Sequence, residues 1–446
     1  MKITAMEAYF DEVTRRIRNA LLAGEEFSCY FSGEQSDFVR FNQALVRQAG
    51  SVEQAHLELR LMRGKRHASA QITLAMDIAV DGAQIASTVA DLRALLQMLP
   101  EDPLFAPKTT NLSSRSVSES TQHSTELMVD AILTSAKGVD FVGFLANGPQ
   151  QRGFADSLGQ RNWHEVASFN LEWSLYYQAD KAVKSAYAGT SWDGLHFAER
   201  MDRARRDLAV IQRPSKRLTP GGYRAFVAPT ALSEVVSMLG WGGFSEKARR
   251  TRQSPLQKLV EGQQRLSPML HLSENTQEGL APTFQSEGYL RPAKVDLITS
   301  GQYRASLVSP PTAREYGIEQ NGADSNVESP QSLDMAGGDL EQKDALKRLG
   351  TGLYLNNLWY LNFSDRMNCR LTGMTRFASL WVENGEVVAP CDVMRFDDSV
   401  YRMFGSNLEA LTKDREFLPD SMTYGGRLTV SQRLPGALID DLRLTL

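Results

Sequence analysis

The chain has 446 residues, 42% hydrophobic and 23% charged, which provides core material for two domains of ordinary size and excludes wholesale disorder. Its 49 Lys and Arg against 53 Asp and Glu leave a formal charge of −4, without the basic excess expected of a dedicated nucleic-acid binder. Three cysteines, Cys29, Cys369 and Cys391, stand far apart without CxxC spacing, which argues against a disulfide framework and fits a reducing compartment.

The opening residues lack the basic and apolar regions of a secretory signal. No stretch approaches the roughly 18 apolar residues that a membrane span requires, so no membrane association is expected and the cytoplasm is the expected compartment. Thr4 caps a predicted helix whose apolar stripe (Met6, Phe10, Val13, Ile17, Leu21) stops at Gly24. Alternating Phe27, Cys29 and Phe31, then Phe38 to Phe41, then Leu57, Leu59 and Leu61, predict strands. Turns are expected at Gly33–Asp37, Ala49–Ser51 and Gly64–Lys65, and such short connections predict an antiparallel meander. A second helix is predicted from near Asp81 to before Pro100, then a polar linker over 101–120 and a third helix over 121–137. Val139–Leu145 and Phe169–Tyr177 read as strands, and Phe197, Met201, Ala204, Leu208 and Ile211 as the stripe of another helix. After about residue 215, Gly and Pro punctuate short predicted strands at Arg224–Val227, Lys294–Ile298, Tyr303–Val308 and Phe377–Val382, while Asn321–Asp339 reads as an exposed loop. The expected fold class is α+β: an N-terminal helix and antiparallel-sheet domain over 1–215, then a β-rich, barrel-like C-terminal domain over 216–446.

Residue chemistry supplies no complete catalytic constellation. The six histidines are His56, His67, His123, His164, His196 and His271. His164-Glu165 opens like a zincin motif, but Ser168 stands where the second imidazole belongs, and the segment reads as strand. His196 and Glu199 lie three apart on a polar helix face, so these two pairs, like His56 and His67, read as solvated surface groups. No G-x-S-x-G elbow, P-loop or G-x-G-x-x-G is present. Asp397-Asp398 and Asp440-Asp441 are adjacent carboxylates that point apart in regular structure. The basic groups Arg203 to Arg206, Arg213 to Arg217 and Arg249 to Arg252 carry no interleaved aromatics and read as solvated faces.

From residue 218 onward an ordered set of short motifs stands out: Leu218-Thr219-Pro220-Gly221-Gly222-Tyr223, Ala228-Pro229-Thr230-Ala231, Ser254-Pro255-Leu256 and Phe284-Gln285-Ser286-Glu287-Gly288. Thr312-Ala313 with Gly317, Gly352-Leu353-Tyr354-Leu355, Thr372-Gly373 and Glu383-Asn384-Gly385-Glu386 complete the set. In this order they resemble the TldD/PmbA (TldD/TldE) family, which contains zinc peptidases and metal-free partner chains. The zinc-bearing type carries H-E-x-x-x-H on a helix and a late cysteine ligand. Alignment to that pattern sets Ser233, Glu234 and Met238 on the helix motif, so only the glutamate is kept, and Tyr424 near the late cysteine. Hydroxyl and thioether are poor zinc ligands beside imidazole.

The resemblance therefore implies a TldE/PmbA-like, non-catalytic subunit, with no catalytic, metal or cofactor-binding residue of its own. It implies a heterodimer with a TldD-type chain that holds the zinc, and unfolded peptide as substrate, bound by strand addition to an open sheet edge. Two alternatives stay open at this stage. One is a metallopeptidase in its own right, with a site assembled from distant residues; the other is a regulatory binding module.

Overall fold

The computed structural model describes residues 4–103, 105, 108, 110–118, 124–178 and 181–445. Helix α1 (Ala5–Ala20) is capped by Thr4, whose hydroxyl accepts from the Glu7 amide, and buries Met6, Phe10, Val13 and Ile17. A meander follows in β1 (Glu26–Asn42), β2 (Leu45–Arg63) and β3 (Arg66–Leu74). Then come α2 (Ile78–Leu96), β4 (Ser114–Val117), α3 (Thr125–Ser135), β5 (Asp140–Asp156), β6 (Arg161–Gln178), β7 (Lys181–Gly189) and α4 (Gly194–Ile211). The seven strands form one sheet in the order β3-β2-β1-β5-β6-β4, with β7 also paired to β6. Helices α1 and α2 cover one end of it through Phe10, Ile17, Ile85 and Val89, packed on Phe31, Leu57 and Leu59.

Two of the three expected turns in the meander are absent. Strand β1 runs without a break through 33–37, with Gly33 paired to both Ala55 and Gln151. Glycine is needed there because a Cβ would meet the Phe31 ring at 2.9 Å, a packing demand that imitates a turn signal. Strand β2 likewise passes through Ala49–Ser51. The actual hairpin turn falls on Gln43 and Ala44, at φ 52° and 56°, in the left-handed pair that suits strand twist although neither residue is glycine. The predicted helix over 121–137 is observed as Thr125–Ser135. His123 and residues 121–122 lie outside the described residues.

Glu7 pins α1 to the sheet. Its carboxylate, 1% exposed, accepts from Arg115 of β4 at 2.8 Å and from Arg161 of β6 at 3.0 Å. Burial works to raise its pKa, but the two guanidinium groups outweigh it and hold the group below its usual 4.5. Because the folded-state pKa is depressed, this stabilisation is present above about pH 4.5 and is lost as pH falls below it. Glu7→Gln is expected to cost about 2 kcal/mol near pH 7 in chemical denaturation. The gap to the parent should close as the pH is lowered through the carboxylate range.

The C-terminal half opens with β8 (Gly221–Val227) and α5 (Pro229–Gly240), whose first turn begins with Pro229. Its further strands are β9 (Leu272–Glu274), β10 (Val295–Thr299), β11 (Gln302–Tyr303), β12 (Ser332–Met335), β13 (Gly352–Asp365) and β14 (Arg370–Glu383). They are followed by β15 (Glu386–Pro390), β16 (Arg395–Ser399), β17 (Leu408–Pro419) and β18 (Ser431–Leu444). Pairings β18-β16-β14-β13-β8, with β8 returning to β18, close a ring of five strands, the barrel-like element expected. The ring and α5 enclose the largest apolar core, around Leu232, Val235, Met238, Leu355 and Ile439.

Two further expectations change. Of the strand predicted over Tyr303–Val308, only Tyr303 lies in a strand (Gln302–Tyr303), and Leu307 makes an isolated bridge to Ser245. The stretch Asn321–Asp339 contains the fully buried strand β12, whose polar residues are there because they have partners. Ser332 donates its amide to Glu274, and Asp334 accepts from Arg415 and Asn275. The two halves share an apolar cluster in which Phe141, Trp173, Phe197 and Met201 pack with Ala378 and Leu380 of β14.

Candidate functional site

A cleft of about 250 Å³ lies where α5 faces the N-terminal sheet. Helix α5 presents Ser233, Glu234 and Ser237 to it. Positions 233 and 237 are one helical turn apart and so share a face. Met238 does not join them: it is 3% exposed and sits in the C-terminal core. The pair that resemblance set side by side, Ser233 and Met238, is therefore divided between cleft and core. Tyr424 is 95% exposed on the β17–β18 connection and does not line the cleft.

The serine hydroxyls are committed locally. Ser233 donates to the Thr230 carbonyl at 2.7 Å, and Ser237 accepts from Gln432 of β18 at 2.7 Å. Lys184 and Arg200 bring cations to the cleft, each paired with a carboxylate: Lys184 to Glu172 at 3.5 Å and Arg200 to Glu416 at 3.1 Å. The Glu234 carboxylate has no hydrogen-bond partner among the described residues. Partial desolvation in the cleft raises its pKa above the usual carboxylate range; Lys184 counters this and Glu172 adds to it. Trp359 and Phe377 form an aromatic rim. Register shifts in the β13–β14 pairing flank Trp359, and Tyr360 and Phe377 take φ of 57° and 59°.

These donors do not suit zinc. The helix offers the cleft three hydroxyls (Thr230, Ser233 and Ser237) and one carboxylate, whereas zinc sites are built from imidazole, thiolate and carboxylate converging at about 2.0–2.3 Å. Among the described residues no three His, Cys, Asp or Glu side chains are placed to hold a metal ion. Cys29 and Cys369 are buried, and burial pushes both thiols, and that of Cys391, up to about 12, far from thiolate reactivity at neutral pH.

The remaining candidates have structural work. His164, expected on the surface, is 8% exposed; its Nε2 donates to the Leu280 carbonyl across the two halves at 3.0 Å, and burial pushes its pKa down to about 4. Its neutral ring belongs to the contact between halves, which no local pattern discloses. His196 is exposed, as expected, and accepts from Arg200. Asp398 is fully buried, accepting from Arg402 at 3.0 Å, while Asp397 points away to Ser364. The basic groups are largely engaged within the chain: Arg205 with the carbonyls of Ser135 and Lys137, Arg249 and Arg250 with Glu246, Lys216 with Glu383. A second cavity, of about 280 Å³, holds Arg60–Glu287, His67–Asp102 and Lys108–Asp156 pairs at 2.8, 3.1 and 3.8 Å.

Sequence reasoning missed Arg427, the residue that fixes the cleft's outer wall. The β17–β18 connection supplies Asp420, Ser421 and Val430 to the cleft, and Arg427 anchors it on the N-terminal sheet. Its guanidinium, 7% exposed overall, donates to Ser36, to the Gly148 carbonyl at 3.0 Å, and to the carbonyl and hydroxyl of Ser168 at 2.8 and 2.7 Å. Its amide donates to Glu34 at 3.0 Å and its carbonyl accepts from Gln150 at 2.7 Å. Burial pushes the guanidinium down to about 10, with Glu34 opposing the shift.

An α5-type helix set against a closed strand ring, facing an antiparallel N-terminal sheet across a cleft, is an α+β architecture shared with solved proteins. The chain belongs to the PmbA/TldA metallopeptidase family: the model of that family's C-terminal domain matches residues 220–446. TldE from Thermococcus kodakarensis is similar in fold over 98% of this chain and 100% of its own, with a TM-score of 0.80 at 15% identity. A proposed modulator of a DNA gyrase from Thermotoga maritima MSB8 matches 99% of this chain and 100% of its own, with a TM-score of 0.75 at 13% identity. A protein of the same description from Bacteroides thetaiotaomicron VPI-5482 covers 100% of both chains, with a TM-score of 0.71 at 14% identity. No curated protein matches the sequence. Among the described residues, no helix is long and apolar enough to cross a membrane.

Proposed function

We propose that this chain is the non-catalytic subunit of a two-chain peptidase, paired with a zinc-bearing TldD-type relative and acting in the cytoplasm on unfolded peptide. The observation that carries the reading is the donor set on α5: Ser233, Glu234 and Ser237 face the cleft where a family peptidase needs metal ligands. Similarity in fold to a protein named TldE supports it. Glu234 on this reading has no metal-bound water to deprotonate and serves as an anionic wall of the cleft. The chain's task is to close the chamber around substrate and to hold it, while the companion supplies hydrolysis. The alternative of a self-sufficient metallopeptidase is disfavoured because the described His and Cys side chains lie outside the cleft lining.

The test is cleavage of an unfolded peptide by the purified chain, by a TldD-type relative, and by the two mixed. Cleavage is expected from the mixture and not from this chain alone. Turnover by the lone chain, abolished by a chelator and restored by zinc, would overturn the reading.

A further inference from the structure

Trp359 and Phe377, the aromatic rim of the cleft, also line a neighbouring cavity of about 220 Å³. Its other walls are largely apolar, with Ala182 of β7, Ile211 of α4, Met374 of β14 and Pro390 of β15. The described charged groups in it are Arg376, Lys181 and the exposed Asp392. Arg376 lies 4.4 Å from the centroid of the Trp359 ring and 5.7 Å from that of Phe377. Among the described residues its half-buried guanidinium has neither a hydrogen-bond acceptor nor a carboxylate partner. Arg200 in the adjoining cleft is, by contrast, paired with Glu416. The backbone is specialised at this point. Between the pairs Asn357–Arg376 and Leu355–Ser379, β14 has one residue more than β13, and Phe377 within that bulge takes φ of 59°, uncommon for a bulky side chain. Bulges of this kind re-aim a neighbouring side chain.

A guanidinium without an anion, stacked on an indole beside a second cation and an apolar floor, suits a carboxylate joined to an apolar group. Its planar fork offers two parallel N–H donors to such a carboxylate, and stacking fixes the plane of the fork in advance. The last residue of a peptide carries both parts on one Cα. An internal Asp or Glu brings the charge but no apolar group on the same carbon, and a phosphate leaves the floor uncovered. Cavities for drug-sized ligands run to about 300–1,000 Å³, so this smaller one matches a single residue. We infer that it binds the free C-terminal carboxylate of a peptide held in the cleft, with Arg376 as the bidentate donor and Lys181 as the second cation. An apolar final side chain then packs on Ile211 and Met374. The inference rests on the reading of the cleft as a peptide holder, and it is measured by binding alone, without hydrolysis.

The test is fluorescence anisotropy of an unfolded peptide, dye-labelled at its N-terminus and ending in leucine, titrated with the full chain. The free acid is expected to bind about tenfold more tightly than the C-terminal amide, the low end for hydrogen bonds to a charged group. N-acetyl-leucine should displace the free acid, and N-acetyl-leucinamide should not. In Arg376→Gln the ratio of acid to amide affinity should fall to within about twofold of one. Arg376→Lys keeps the charge without the fork and should give a ratio between the two. Equal binding of acid and amide by the parent, no peptide binding at all, or full discrimination kept by Arg376→Gln would each overturn the inference. So would an amidated peptide with an internal Glu that binds as tightly as the free acid, or displacement by both acetylated leucines or by neither. These results leave the source of hydrolysis untouched, which cleavage by the mixed chains decides separately.

Discussion

Arg427→Ala is expected to destabilise the protein by about 3–5 kcal/mol, read as a shift in the denaturant midpoint. The substitution leaves the carbonyls of Gly148 and Ser168 without their guanidinium donors. It also leaves the Glu34 carboxylate, 4% exposed, without the cation beside it. Few alternatives exist for these groups. At Gly148 any side chain would collide with the Gln35 carbonyl, so no substitution at that position can supply a replacement donor. Arg427→Lys keeps the charge but loses the fork, and should recover only part of the loss. The variant should also raise protease sensitivity across 420–430, because that connection loses its anchor on the N-terminal sheet.

The second large effect is a gain. Ser233→His/Ser237→His places two imidazoles one turn apart on α5, beside Glu234 and facing the same cleft. About one equivalent of zinc is expected to bind to this double variant and to be removed by a chelator. The matched control, Ser233→His/Met238→His, keeps the family's spacing in sequence but sets its second ring in the apolar core. It should bind no zinc and should lose stability, since an imidazole would be buried without a partner. Equal zinc binding by both double variants would contradict the cleft and core assignment of α5.

What was legible in the sequence follows periodicity. The stripes of α1 and α4 and the alternation around Leu57 and Phe169 identify elements because each pattern records which side of one segment is buried. The signals that misled are those with two physical causes. Gly33 answers a packing demand rather than a turn, while the real turn at Gln43-Ala44 carries no glycine. Polar Asn321–Asp339 hides β12, because its Ser332 and Asp334 are satisfied by Glu274, Arg415 and Asn275, residues distant in the chain. The cleft was the least legible part. Its walls come from β6, β7, α4, α5, β13, β14, β17 and β18, and only the α5 segment had a recognisable counterpart in a family motif. Even there, alignment set Met238 in the ligand row, whereas the fold puts Met238 in the core and Ser237 in the cleft.

On the proposed function, the donors on α5 hold no catalytic metal and hydrolysis comes from another chain. Equilibrium zinc titration of the purified, chelator-treated parent chain tests this most directly. No stoichiometric uptake is expected, and no protection of Glu234 from carboxyl-modifying reagent on adding zinc. One tightly bound equivalent that shields Glu234 would contradict it.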